Sequence, residues 1–228
     1  MKLDKSLNRL LHKIKVFIFD LEGTLLDMPA DWEGMRKDIH NYFLKNYDIN
    51  MIFKPVLKKI DVAINNLSKI KSKSELEGIR KIVFTIIENT HIKAAKKSTL
   101  YEGVIELLTL LKEKGYSTTV LTRSGKEATK ILLEKNLIIK FFDMVITRDD
   151  IIQSKPSSEG ILKIINNYKF NPEFFLMIGD HPYDIIAGKN SCINTIGVLT
   201  GISTKKDLMQ VKADYILEKT SELIKYFV

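Results

Sequence analysis

Val16-Phe17-Ile18-Phe19-Asp20-Leu21-Glu22-Gly23-Thr24 is the stretch that decides the fold. Four apolar residues in a row, without polar alternation, read as a short strand covered on both faces. The run stops abruptly at Asp20, and two residues later Glu22 precedes a Gly-Thr pair suited to a tight turn. A strand covered on both faces needs a helix layer above and below it. Such sheets are parallel and bind ligands beyond the carboxyl ends of their strands.

The chain downstream changes character. From Trp32 to about Ala95 the periodicity is helical. Trp32, Met35, Ile39 and Phe43 share one face, Leu57, Ile60, Ile64 and Leu67 a second, and Leu76, Ile79, Val83 and Ile87 a third. Pro55 and the Ser72–Ser74 stretch fall at the breaks, giving a three-helix insert. After Tyr101, strands at 118–121, 144–146, 174–178, 195–198 and 215–217 alternate with helices at 104–114, 125–135, 156–168 and 183–189, and a last helix begins at Ser221. Alternation at this spacing implies right-handed crossovers and one parallel sheet. The expected architecture is α/β, a Rossmann-like three-layer core with a small all-helical domain inserted after the first strand.

Strand exits and helix entries then carry the chemistry. The first strand ends in Asp20-Leu21-Glu22-Gly23-Thr24, the second in Leu121-Thr122-Arg123-Ser124. A loop before a helix holds Lys155-Pro156, and a later apolar run ends in Gly179-Asp180-His181-Pro182-Tyr183-Asp184. Each segment alone is unremarkable, since Thr122 could cap a helix and Lys155 could be a surface lysine. Their order and placement together form the signal. A carboxylate can attack phosphorus and split one displacement into two steps. Its repulsion from an anionic substrate must be screened by a lysine and by a cation held on hard oxygens. A second carboxyl can protonate the leaving oxygen.

This set resembles the haloacid dehalogenase superfamily, over residues 16–228, and its phosphoglycolate phosphatase-like members with a helical cap in particular. The resemblance implies a magnesium-dependent phosphatase acting through an aspartyl-phosphate on a small phosphorylated metabolite. It implies Asp20 as nucleophile, Glu22 as acid/base, Thr122, Arg123 and Lys155 around the phosphate, and Asp20, Glu22, Asp180 and Asp184 around Mg²⁺. Asp184 has a second reading, as the residue that orients Lys155. It implies a core of residues 1–27 and 99–228 and a cap of 28–98. Glu22 departs from the usual aspartate, and Asp-x-Glu-Gly-Thr is typical of the enolase-phosphatase branch. That branch, a phosphomutase and a non-catalytic phosphate-binding protein are the competing readings. Asp31, Trp32 and Arg36 open the first insert helix and are candidates for substrate selection.

Composition narrows the partners. The 228 residues carry a net charge of +8. Residues 28–99 hold 14 Lys and Arg against 8 Asp and Glu. The lysines are scattered and the whole chain has five arginines, which fits solvated helix faces rather than a nucleic-acid surface. No apolar run reaches the roughly 18–20 residues that span a bilayer, and residues 1–15 lack the pattern of a signal peptide. Cys192 is the single cysteine, consistent with a cytoplasmic protein, and it reads as a small buried hydrophobe before a strand.

Overall fold

A computed structural model describes residues 4–227. A short helix α1 (Lys5–Leu11), N-capped by Asp4, leads into β1 (Val16–Phe19). The chain continues through β2 (Leu26–Asp27), α2 (Trp32–Tyr47), α3 (Val56–Leu67), α4 (Lys73–Ala95) and β3 (Thr99–Leu100). Strand–helix alternation follows in α5 (Val104–Glu113), β4 (Ser117–Leu121), α6 (Lys126–Lys135), β5 (Met144–Ile146), α7 (Glu159–Tyr168) and β6 (Phe175–Gly179). The chain then runs through α8 (Pro182–Asn190), β7 (Asn194–Val198), α9 (Lys205–Gln210) and β8 (Tyr215–Leu217), with 3₁₀ turns over Thr220–Tyr226.

Six strands form one sheet in the order β5-β4-β1-β6-β7-β8, and every pairing is parallel. β1 is central, as its uninterrupted apolar sequence requires. Val16 and Ile18 pack on one face with Leu121, Ile161, Ile164 and Met177. On the same strand, Phe17 sits edge-on to Tyr116 at 5.3 Å and to Phe227 at 6.0 Å. From β1 the chain moves outward through β4 and β5, then returns to β1's other side at β6. That reversal opens a crevice at the carboxyl end of β1.

The chain divides into two compact units: residues up to Met28 with those from Ser98 onward, and Pro29–Lys97. The second unit is wholly helical around its own core of Met35, Ile39, Phe43, Phe53, Ile60 and Val83. Trp32 and Leu57, placed on the apolar faces by periodicity, are exposed because both lie in first helical turns. The two crossings into this unit are tied together by a β2–β3 antiparallel pair, Leu26 with Leu100 and Asp27 with Thr99. Two residues per strand are too few to leave a sequence period.

Three further expectations need correction. The helix expected from residue 156 begins at Glu159, because 155–158 form the loop that carries Lys155 inward. The final helix is 3₁₀ rather than α. Cys192 is exposed, not buried, because it adopts a left-handed conformation (φ 56°) in the turn that closes α8.

Phe17→Ala should cost about 3–5 kcal/mol of folding stability, since the ring is fully buried against two aromatic partners. Chemical denaturation measures this, and a cost below about 1 kcal/mol would mean that the aromatic face of β1 does not hold the sheet.

Candidate active site

Register places the acidic residues at one edge. Phe19 pairs with Val120 on one side and with Ile178 on the other. Asp20 therefore leaves β1 level with Leu121 and Gly179, with Thr122 and Asp180 one residue further out. Backbone bonds from Asp20 N–H to the Ile178 carbonyl (2.9 Å) and from Thr122 N–H to the Ile146 carbonyl (3.0 Å) extend the ladder past the strand ends.

Lys155 lies at the middle of the cluster. Its buried Nζ donates to Asp20 Oδ1 at 2.5 Å and to the Leu121 carbonyl at 2.7 Å, and pairs with Asp184 Oδ1 at 2.6 Å. Burial alone would lower the lysine's pKa, but the carboxylates of Asp184 and Asp20 outweigh it and raise the value. Lys155 is therefore a fixed positive charge. Asp184 is also the third residue of α8, where its Oδ2 accepts from His181 N–H at 3.0 Å. His181 Nδ1 in turn accepts from Tyr183 N–H, so this histidine caps a helix.

Asp20, Asp180 and Asp184 are all buried, with carboxylate oxygens within 4.8 Å of one another. Burial pushes Asp180 up to about 6, helped by repulsion from Asp184. Asp20 is also raised, by burial first, against the pull of Lys155, with further repulsion from Asp184, Glu22 and Asp180. Three carboxylates face one ammonium, so the fully ionised cluster carries −2. Buried charge of that size calls for a cation, and hard carboxylate oxygens suit a divalent one.

Two glycines make room for Asp180. Gly23 has φ +82°, and a Cβ there would lie 2.6 Å from Asp180 Cγ. A Cβ on Gly201 would lie 1.8 Å from Asp180 Oδ2. The loop holding Gly201 also gives Asp180 a backbone hydrogen bond from Ile202. Thr200 Oγ1 donates to the Gly23 carbonyl at 2.6 Å. Sequence reasoning did not single out Thr200-Gly201, although it follows an apolar run as the other exits do.

Glu22 stands apart from the three aspartates. Thr122 Oγ1 donates to its Oε2 at 2.9 Å and Ser124 Oγ to its Oε1 at 2.5 Å. The structure thus brings Asp20, Lys155, Asp180 and Asp184 into one cluster and joins Glu22 to Thr122 beside it. The Glu22 carboxylate is not among the three whose oxygens lie within 4.8 Å of one another. Arg123 does not join either group; its exposed guanidinium lies over the Tyr183 ring, 5.3 Å from the centroid. In the helical unit, Asp31 caps α2 through Gly34 N–H at 2.8 Å. With Asp38, Thr90, Lys93 and Lys97 it lines a polar hollow of about 190 Å³.

A parallel sheet with this acidic, lysine-bearing edge at its switch point defines an enzyme of the doubly wound α/β class. The haloacid dehalogenase-like hydrolases match residues 17–198, and the chain belongs to that family. It is a hydrolase of the phosphatase type. The chain is 28% identical over 213 residues to the pyrophosphatase PpaX of Bacillus mycoides, covering 93% of this chain and 96% of that one. A crystal structure of a predicted phosphoglycolate phosphatase from Haemophilus somnus superposes with a TM-score of 0.68 at 21% identity, over 93% of this chain and 97% of that one. A haloacid dehalogenase-like family hydrolase from Streptococcus pneumoniae does so with 0.67 at 20%, over 95% and 100%. Both share its fold. Among the described residues no helix is long and apolar enough to cross a membrane.

Gly201→Ala should destabilise the protein by about 1–3 kcal/mol, because the new methyl falls on the Asp180 carboxylate. Asp180→Gly in the same chain, which also removes the Asp180 Cβ that would lie 2.7 Å from the new methyl, should recover most of that loss, a coupling that a double-mutant cycle in denaturant reads directly. Purely additive costs would place the strain elsewhere.

Proposed function

We propose that this hydrolase is a magnesium-dependent phosphatase that cleaves a small phosphorylated metabolite through an aspartyl-phosphate on Asp20. The observation that carries this reading is the buried cluster of Asp20, Asp180 and Asp184 around the single ammonium of Lys155 at the sheet's carboxyl edge. Asp20, Asp180 and Asp184 would hold the metal, and Mg²⁺ prefers such hard oxygens. Bound there, the cation supplies positive charge against the anionic substrate.

The chain's own residues account for the rest. Lys155 fixes Asp20 in position and keeps positive charge beside it. A carboxylate oxygen of Asp20 attacks phosphorus, and the bond to the ester oxygen breaks. Thr122 Oγ1 donates to a phosphoryl oxygen, and protonated Glu22 gives its proton to the departing oxygen. Water then attacks the aspartyl-phosphate, with Glu22 as the carboxylate that takes its proton. Phosphate leaves and Asp20 is restored. Such a sequence rests on positioning and charge more than on exotic chemistry.

The helical unit, inserted between β2 and β3, belongs to the same proposal as a cap that governs access and selectivity. Asp31, Trp32 and Arg36 are the candidates for the latter, and Asp31 lines the polar hollow. A second reading of the substrate, a phosphoanhydride rather than an ester, is favoured by the pyrophosphatase name of the Bacillus relative. The acid role of Glu22 weighs towards an ester, since phosphate leaves an anhydride with little need of a proton. Release of phosphate from a panel of metabolite esters and from pyrophosphate separates the two.

Two outcomes test the mechanism. Asp20→Asn should abolish turnover of p-nitrophenyl phosphate, by at least about 10⁴-fold, while the circular dichroism spectrum stays native. Substantial turnover by the folded variant rules out the covalent route. Chelation should silence the native enzyme and magnesium should restore it, whereas calcium, with its looser and longer coordination, should restore little. Full activity after exhaustive chelation would end the metal assignment.

A further inference from the structure

Glu22 is one methylene longer than the aspartate usual at its position, and the structure shows where that length goes. Its two carboxylate oxygens meet two different hydroxyls, Oε2 that of Thr122 and Oε1 that of Ser124. Both hydroxyl residues are buried, at 1% and 2% exposure, while Glu22 itself is half-buried. Ser124 N–H also donates to Thr122 Oγ1 at 3.0 Å, which ties the two positions into one turn.

A threonine hydroxyl has one proton to give. While Thr122 donates to Glu22 it cannot donate to a phosphoryl oxygen. On the reading above, substrate takes that proton, and Glu22 Oε2 loses its partner. The contact at Oε1 is unaffected.

We propose that Ser124 is the positioning residue for Glu22, holding Oε1 in place while Thr122 turns to the phosphoryl group and Oε2 carries the proton to and from the reacting oxygens. The inference rests on Glu22 being the acid/base group. The proton count closes. Ser124 O–H donates to Oε1 whether Oε2 is protonated or not, so its own proton never leaves. Oε2–H passes to the leaving oxygen in the first step, and Oε2 regains a proton from water in the second. An aspartate would withdraw the carboxyl by about 1.5 Å, too far to keep both hydroxyls at hydrogen-bond distance. Ser124 is therefore the partner that makes the longer acid usable.

The test compares kcat/KM for phenyl phosphate and p-nitrophenyl phosphate with magnesium present. This ratio reports steps up to phosphorylation of Asp20, before water enters. Phenolate is the poorer leaving group and needs the proton; nitrophenolate does not. Ser124→Ala should lower the phenyl phosphate value about 10- to 100-fold, the weight of a hydrogen bond to an ionisable group. The nitrophenyl value should fall by less than about 3-fold, which also reports a folded active site. Ser124→Thr, which keeps the hydroxyl, should retain most activity on both. In a Glu22→Gln chain, Ser124→Ala should cost nothing more on phenyl phosphate.

Equal loss on both substrates, or a full additional loss in the Glu22→Gln chain, overturns the proposal and makes Ser124 a residue of the fold. The acid/base reading fails separately, and visibly, if Glu22→Gln alone cleaves phenyl phosphate as fast as the native enzyme. That outcome would remove the ground under Ser124 while leaving Asp20 and the metal assignment standing.

Discussion

The ammonium of Lys155 is the point on which the rest of the site depends. It lies buried between Asp20 at the end of β1 and Asp184 in the first turn of α8, and also donates to the backbone at the end of β4. One side chain thus connects three elements that are far apart in sequence. Breaking a buried pair of this kind leaves an uncompensated charge, which is strongly unfavourable. The geometry is consequently fixed before any ligand arrives, as catalysis by positioning requires.

Around this pair the protein concentrates more negative charge than it neutralises. Asp180 stands against Asp184 with its pKa raised to about 6, and Asp20 is raised as well. Burial is the leading cause in both, and repulsion within the cluster adds to it. The backbone makes no allowance for relief, since Gly23 and Gly201 close over Asp180 without side chains of their own. An arrangement strained in this way favours ligands that bring positive charge. The family of haloacid dehalogenase-like hydrolases, to which the chain belongs, generally uses a divalent metal, and the donor set here fits one.

Beside the acidic cluster lies a neutral hydroxyl pair, Thr122 and Ser124, that receives Glu22. The separation is chemically useful. On the proposed mechanism Glu22 trades protons, and such a carboxyl is better kept off the oxygens proposed to hold the metal, where positive charge would suppress its protonated form. The longer side chain of glutamate lets it leave the cluster that Asp20 begins two residues earlier. The same turn therefore serves two carboxylates in different environments.

Much of this was legible in the chain itself, for definite reasons. Val16–Phe19 has no polar alternation, which only a strand covered on both faces permits, and the structure places it at the centre of a parallel sheet. Helix and strand periods then located nearly every later element, and the strand exits carried Asp20, Thr122 and Asp180 to one edge because a parallel sheet aligns its carboxyl ends. Local sequence could not reveal the two-residue β2–β3 pair, the exposure of Cys192, or the course of Arg123 over Tyr183, since each depends on partners set by the folded chain. It could not distinguish a surface lysine from the buried Lys155, nor show that Glu22 turns from the aspartates to two hydroxyls. Periodicity reports which face of an element is apolar. Only tertiary structure decides which charges meet, because that depends on how segments far apart in sequence are brought together, 135 residues apart in the case of Lys155 and Asp20.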